Sequence, residues 1–190
     1  MKDFFCTMQF EERQPKVSFP REKRALLLLN EREVVNHSID AEGGETDIPY
    51  YEYDGIFLDV ANTTENAVLN EVKHRVHTYL DEYDKSSKVN RFTYKGKSMW
   101  LDKVTRNGLI MRLTAEKDEG CETTTLWYNK WNFTLPISEA FAILYKIENY
   151  ASQCYDNTQR HHKAVTELAT IEEVVDYDYT TGYPEILVFE

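Results

Sequence analysis

The chain of 190 residues carries a formal net charge of −11, has a pI near 5.0 and is 42% hydrophobic. This composition supports one domain or two small ones with a real core, and the acidic balance argues against a nucleic-acid partner, which needs a basic surface. The longest apolar run, residues 25–29, is too short to span a bilayer, so no membrane segment is predicted. The three cysteines have no CxxC spacing, which predicts reduced thiols in a chain that folds in the cytoplasm.

Residues 1–60 are predicted to form a strand-rich N-terminal unit. Residues 4–10 are a short β-prone run, and the continuous apolar run 25–29 fits a buried strand or a short helix equally well. Residues 33–39 are expected to form the return strand of that element. The glycine pair at 43–44 predicts a loop after it.

The next predicted elements are a strand followed by a helix. Aromatic and β-branched residues dominate 50–60, as strands prefer, and the Asp-Gly dipeptide at 54–55 predicts a break within it. Residues 61–84 are the second predicted unit, a helix with its linker, because apolar residues recur at three-to-four spacing over 64–83. The polar segment 85–88 marks the boundary before the C-terminal domain.

Residues 85–190 are predicted to form an α+β domain in which small antiparallel hairpins pack on a long C-terminal helix. The segment 91–101 has glycine at its tip, which is typical of a hairpin, and 123–135 alternates apolar and polar residues in a second one. Pro136 then opens a helix of about thirty residues. The apolar segment 186–189 is strand-like.

A shorter helix is predicted between the two hairpins. Asp102 is a natural N-cap for it, and the helical period continues through about residue 116. Val104, Gly108 and Met111 share one face of this helix. Because glycine costs about 1 kcal/mol in a helix relative to alanine, Gly108 is expected to let a neighbouring element approach closely.

Three motifs in this domain occur together in a fixed order. They are Phe92-x-Tyr94-x-Gly96-x-x-x-Trp100-x-Asp102, the hairpin stretch 127–135, and Asp176-Tyr177-Asp178-x-x-x-Gly182-Tyr183-Pro184. Over residues 89–184 this arrangement resembles an uncharacterised domain family of tailed phages and prophages, in its Bacteroides-type form, which occurs in tail-fibre assembly and tail-associated proteins. The resemblance implies a structural or assembly protein of the virion tail, made in the bacterial host cytoplasm. Its implied partners are other tail proteins and further copies of itself.

The sequence contains none of the motifs GxGxxG, GxxxxGK[ST], GxSxG and HExxH, which argues against an enzyme and against a bound cofactor. One alternative is a small hydrolase that uses the carboxylates Glu172, Glu173 and Asp176 for acid–base chemistry. A solvated acidic segment explains the same residues more simply.

Five aromatic residues are candidate interaction residues. Trp100, Trp127 and Trp131 lie on the two predicted hairpins, where they could stack on the sugar rings of a glycan or contact a protein partner. Alternatively, they form a small core between the hairpins and the long helix. Tyr177 and Tyr183 belong to the C-terminal motif. A carbohydrate-binding adhesion module is therefore the main alternative to a role in protein–protein contacts.

For the remaining reactive side chains, the sequence predicts structural roles. His74 and His77 lie three residues apart and could share a metal ion, but a solvated helix face is the simpler interpretation. His161 and His162 point in different directions on a helix, so one is expected in the core and one in water. Cys154 is predicted to be a core thiol, and no metal site is predicted.

Overall fold

The computed structural model of the chain describes residues 4–39 and 45–190, without the side chains of residues 36–39 and 45–48. Its fold is α+β, as predicted, with small antiparallel sheets and one helix of 31 residues. The strands are β1 (Cys6–Phe10), β2 (Val17–Arg21), β3 (Arg24–Ile39), β4 (Glu45–Asp59), β5 (Arg91–Tyr94), β6 (Lys97–Trp100), β7 (Thr123–Tyr128), β8 (Trp131–Pro136) and β9 (Leu187–Phe189). The helices are α1 (Glu65–Asp84), α2 (Lys103–Asp118), α3 (Ile137–Glu167) and α4 (Ile171–Asp176).

The chain forms two compact units, and each contains segments that are distant in sequence. Unit 1 consists of the described residues up to Val76 together with Val165–Tyr177, and unit 2 consists of His77–Ala164 and Asp178–Glu190. The boundary between Val76 and His77 lies within α1, and the boundary between Ala164 and Val165 lies within α3. These units therefore end at other positions than the boundaries predicted after residues 60 and 84.

Unit 1 contains a four-stranded antiparallel sheet in the order β1-β4-β3-β2. The apolar run 25–29 lies in β3 and is buried throughout, so its interpretation as a strand is correct and the helix alternative is wrong. Its register with β4 places Ala25 opposite Leu58 and Leu27 opposite Ile56. A run that is buried on both faces has no polar alternation, which is why local pattern alone left two interpretations open.

The segment 33–39 is not a return strand, and that prediction is wrong. It continues β3, which pairs with β4 along its whole length. The register shifts between Leu29 and Arg32, and Asn30 adopts a positive φ of 53°. This irregularity takes up an extra residue without ending the strand, as a β-bulge does. The predicted glycine loop at 43–44 lies outside the described residues.

The predicted break at Asp54-Gly55 is also wrong, because β4 continues through both residues. Gly55 pairs with Leu28 of β3 and with Cys6 of β1. A Cβ at Gly55 would lie 2.5 Å from Met8 Sδ and 2.8 Å from Leu28 Cδ2. Glycine therefore permits close packing inside the sheet at this position.

The helices of unit 1 begin with side-chain caps. The helix predicted over 64–83 is present as α1, and Thr64 Oγ1 accepts a hydrogen bond from the Ala67 amide at 3.2 Å. At the start of α4, Thr170 Oγ1 accepts from the Glu173 amide at 3.3 Å, and the Glu173 carboxylate accepts from the Thr170 amide at 3.0 Å. This reciprocal pair is a capping box.

Both predicted hairpins are present in unit 2. β5 pairs with β6 in antiparallel and with β9 in parallel, and β7 and β8 form a separate two-stranded sheet. The long helix α3 begins directly after Pro136, as predicted. Its buried residues Leu144 and Ile147 pack in two clusters with residues of the hairpins, Leu135 in one and Phe92 in the other. The prediction of hairpins packed on a long helix is confirmed.

Candidate functional site

Helix α2 carries apolar side chains on two opposite faces. Its inner face contributes Leu113, which is fully buried and packs with residues of β8 and α3. Its outer face carries Val104, Gly108, Met111 and Ala115, which we call the α2 stripe. These four positions follow the three-to-four spacing that aligns side chains along one side of a helix, and all four are exposed.

The α2 stripe is open to solvent. Val104 is 82% exposed and Met111 is 74% exposed. A Cβ built on Gly108 would meet no atom of the described residues within 4 Å beyond its own helix. The prediction that another element of the chain approaches Gly108 is therefore wrong for the described part of the chain. The space beside this glycine is available to another molecule.

Polar contacts fix α2 within unit 2. Asp102, the predicted N-cap, accepts a hydrogen bond from the Thr105 amide at 2.7 Å, and this bond lowers the pKa of the Asp102 carboxyl. The Arg106 guanidinium donates to Glu148 of α3 at 2.6 Å and to the Leu101 carbonyl at 2.7 Å. Arg106 is buried, so water has little access to these bonds from the arginine side. The α2 stripe is consequently held in a fixed orientation on this unit.

The second hairpin presents two indoles on opposite faces. In the β7–β8 register Trp127 is opposite Asn132, and Tyr128 is opposite Trp131. Directly opposite residues share a face and adjacent residues alternate, so Trp127 and Trp131 point away from each other. Trp127 is 64% exposed and Trp131 is 44% exposed, with the Lys97 ammonium over the Trp131 ring.

These positions decide between the two interpretations of the tryptophans. Exposure of Trp127 and Trp131 contradicts a core formed by all three indoles. The opposite faces of the hairpin also contradict one shared aromatic surface, because Trp127 and Trp131 cannot contact one sugar together. Trp100, which is half-buried, lines a cleft with polar neighbours.

That cleft, of about 420 Å³, lies in unit 2 beside the end of β6, the start of α2 and the middle of α3. Trp100, the Arg106–Glu148 ion pair and the exposed Tyr155 contribute to its wall, and the wall contains four carboxylates and three cationic side chains. The charges nearly balance. The Trp100 cleft is therefore better suited to a neutral polar ligand than to an anion or a cation.

Two polar atoms of residues in this wall are buried without a hydrogen-bond partner in the described part of the chain. They are Nε1 of Trp100, which can only donate, and Oδ1 of Asn90, which can only accept. An unpaired buried polar group costs about 1–3 kcal/mol. Both atoms are buried, so a ligand in the cleft could pair with them only if their side chains turned towards it.

The two candidate tyrosines have separate positions. Tyr183, in unit 2, shares a hydrogen bond of 2.9 Å with Thr158, and its ring centroid lies 5.6 Å from that of Tyr83. Burial raises the pKa of the Tyr183 hydroxyl, which accordingly stays protonated and packs in the unit. Tyr177, in unit 1, is half-buried at the end of α4.

The histidines are more involved in packing than the sequence predicts. His77 is half-buried in unit 2, with its Nδ1 2.7 Å from Nδ1 of His162, so a solvated face is the wrong prediction for it. His162 Nε2 also lies 3.2 Å from the Asp81 carboxylate. His161 is buried, as expected for one of the adjacent pair, but His162 is half-buried and the prediction that it lies in water is wrong. No group of three His, Cys, Asp or Glu among the described residues is arranged to hold a metal ion.

Cys154 is fully buried, which confirms the prediction of a core thiol, and burial raises the pKa of this thiol. A thiol that stays protonated is a poor nucleophile.

The acidic residues proposed for a hydrolase have structural partners in unit 1. A cleft of about 220 Å³ does lie beside Glu172 and Asp176. However, Glu172 forms an ion pair with Lys16, and Glu173 accepts hydrogen bonds from the backbone amides of Ala169 and Thr170. These contacts lower the pKa of both glutamates, so neither is suited to donate a proton near neutral pH.

The residues of these sites that the sequence interpretation missed include Asn90, Arg106 and Ala115. Arg106 had a signal, because it lies two helical turns from Leu113 on the apolar inner face, where a cation needs a buried partner. Ala115 had one too, since it extends the spacing of Val104 and Met111. Asn90 had none, because only the tertiary structure leaves its amide oxygen unpaired.

No family model, no curated protein and no solved structure matches the chain. Among the described residues, none of the helices combines the length and hydropathy needed to cross a membrane.

Proposed function

We propose that the chain is a non-enzymatic protein of a phage tail or tail fibre, structural in the virion or active in its assembly, and that it acts through protein–protein contacts. The observation that carries this proposal is the α2 stripe, an apolar helix face that unit 2 holds rigidly and leaves open to solvent. The resemblance over residues 89–184 supports the tail context.

The composition of the α2 stripe favours a protein partner. Single exposed apolar side chains are common on protein surfaces, but four aligned positions without a charged residue form a continuous strip. Helix faces of this kind bind partners through side chains one and two turns apart. Gly108 is unfavourable in an exposed helix by about 1 kcal/mol relative to alanine. Its presence on a face with open space fits a surface that another element approaches closely.

The experiment for this proposal is co-purification of the tagged chain from cells of the source host that assemble tail particles. The wild-type chain should retain one or more tail proteins, and Met111→Glu should lose them because a carboxylate would be buried in the contact. Thr114→Glu, on the exposed side of the same helix but outside the α2 stripe, is the matched control and should retain them. The proposal would be contradicted if Met111→Glu retained the tail proteins as Thr114→Glu does. It would also be contradicted if the wild-type chain retained none.

A second candidate function is carbohydrate binding in the Trp100 cleft, favoured by the two unpaired polar atoms in its wall. A sugar has hydroxyl groups that both donate and accept, so one molecule could pair with Trp100 Nε1 and Asn90 Oδ1 once their side chains turn towards the cleft. Its apolar ring face packs well on aromatic side chains, which Trp100 and Tyr155 supply. The near balance of charge in the wall suits a neutral glycan.

Of the three indole N–H signals in the NMR spectrum, we expect a bound sugar to change one, that of Trp100. The protein would be titrated to millimolar concentration with maltotriose, N,N′-diacetylchitobiose and lactose, after assignment of the indole signals with Trp100→Phe and Trp127→Phe. At least one sugar should shift the Trp100 signal, because that donor gains a partner, and leave the exposed Trp127 signal unchanged. No shift with any of the three, or a shift confined to Trp127 and Trp131, would contradict binding in this cleft.

A further inference from the structure

We infer that the α2 stripe pairs with the same stripe of a second copy of this chain, with the two helices antiparallel. The inference rests on the proposed function, since it names one partner of the surface through which the chain is proposed to act. It depends on the sizes of the four side chains, on the charges beside them and on the open space at Gly108.

The sizes of the stripe residues alternate in a way that complements the reversed stripe. From the N-terminal end, the side chains are large, absent, large and small: Val104, Gly108, Met111 and Ala115. When the second copy runs in the opposite direction, Val104 faces Ala115 and Met111 faces Gly108. Each large side chain then fills a gap on the other helix, as ridges pack into grooves. A parallel pair would instead place Met111 against Met111 and leave Gly108 facing an empty gap.

The charges at the two ends of α2 agree with the antiparallel direction. At 100° per residue, Lys103 and Asp118 lie on the same side of the stripe, about 110° and about 50° from its midline. Reversal of the second helix brings Lys103 of each copy near Asp118 of the other. The long lysine side chain can cover the remaining distance along the helix surface. Two opposite-charge contacts therefore form by symmetry, as in an isologous interface.

The size of the surface predicts a reversible association. The stripe spans about 17 Å of helix at 1.5 Å per residue. One helix face of this length buries less than the roughly 1,200 Å² at the lower end of stable complexes. We therefore expect a dimer that forms and dissociates with concentration, and that becomes saturated when many copies are held together in an assembly.

The experiment is sedimentation velocity of the full chain over a wide concentration range, in reducing agent because Cys6 and Cys121 are exposed. The wild-type chain should shift from monomer to dimer. Gly108→Leu should weaken the dimer at least tenfold, because it fills the gap that receives Met111. The same variant should raise the melting temperature of the monomer by about 2–4 °C, because leucine favours a helix and has open space there. Gln159→Leu, at an exposed position of α3, is the control and should leave the dimer unchanged.

A charge exchange tests the direction of the helices. Lys103→Asp should weaken the dimer about three- to tenfold by placing two carboxylates together. The double variant Lys103→Asp/Asp118→Lys should restore the wild-type affinity, because the contact is re-formed with its charges exchanged. A monomer at every concentration, a dimer insensitive to Gly108→Leu, or a double variant as weak as the single one would overturn the inference.

These outcomes separate the inference from the proposed function. A monomeric wild-type chain that still loses tail proteins on Met111→Glu would overturn self-pairing and leave the tail role standing. If the chain dimerises as described but retains no tail protein, self-pairing stands and the tail role is overturned.

Discussion

Replacement of Arg106 with alanine should lower the free energy of unfolding of unit 2 by about 2–3 kcal/mol. Arg106 joins α2 to α3 through Glu148 at 2.6 Å, and its side chain is only 7% exposed. The substitution leaves the Glu148 carboxylate without its cation and the Leu101 carbonyl without its donor. Breaking a fully buried ion pair costs about 3–5 kcal/mol. We expect a loss at or below the lower end of that range, because Glu148 is 34% exposed and water can solvate its carboxylate after the substitution.

Arg112→Ala provides the matched control on the same helix. Arg112 contacts Glu116 at 2.7 Å, almost the same distance, but its side chain is 45% exposed. The loss should be below about 1 kcal/mol, as for most surface ion pairs. Urea unfolding followed by tryptophan fluorescence measures the difference in unit 2, because all three tryptophans lie in that unit. Equal losses in the two variants would mean that Arg106 does not anchor α2.

Leu113→Ala should lower the free energy of unfolding by about 3 kcal/mol, whereas Met111→Ala should change it by less than about 0.5 kcal/mol. The two residues are half a helical turn apart, and their environments differ completely. Leu113 is fully buried in the cluster that contains Leu135 and Leu144, so its truncation leaves a cavity. Met111 is 74% exposed and its truncation leaves none.

The same urea titration measures both variants, at a protein concentration low enough to keep the chain monomeric. The comparison tests whether the α2 stripe serves the fold or a partner. A loss above about 1 kcal/mol for Met111→Ala would show that this side chain stabilises the monomer, and the stripe would then have a structural explanation.

Elements with a complete local signal were predictable from the sequence. The second hairpin has apolar and polar residues in alternation over 131–135, and α2 has the N-cap Asp102 directly before its helical period. Each signal lies within a few residues of the element that it specifies. The structure therefore contains both elements close to their predicted bounds.

Long-range pairing was not predictable in this way. The continuation of β3 past Asn30 depends on β4, whose paired residues lie from 20 positions (Arg32 and Glu52) to 6 positions (Ile39 and Glu45) further along the chain. A local bulge and a local turn look alike in sequence, because both favour residues such as Asn that tolerate a positive φ. The parallel pairing of β9 with β5 joins residues 187–189 to residues 92–94, and nothing in either segment specifies its partner.

The candidate sites also depended on structure that the sequence did not specify. Trp127 and Trp131 lie on opposite faces because the hairpin turns at Asn129 with Tyr128 opposite Trp131, and this register was not part of the sequence interpretation. The outward direction of the α2 stripe required the tertiary structure, because a helix with apolar residues on both faces does not reveal which face is buried. The unpaired atoms of the Trp100 cleft likewise depend on neighbours from β6, α2 and α3.

The most direct test of the proposed role is quantitative mass spectrometry of tail particles and tail-assembly intermediates purified from the source host. The account predicts the chain in one of these two fractions at a fixed ratio to the other tail proteins. Presence in finished particles would identify a structural protein, and presence in intermediates alone would identify an assembly protein. Abundant chain in the cell lysate, with none in either fraction, would contradict the proposed role in a tail.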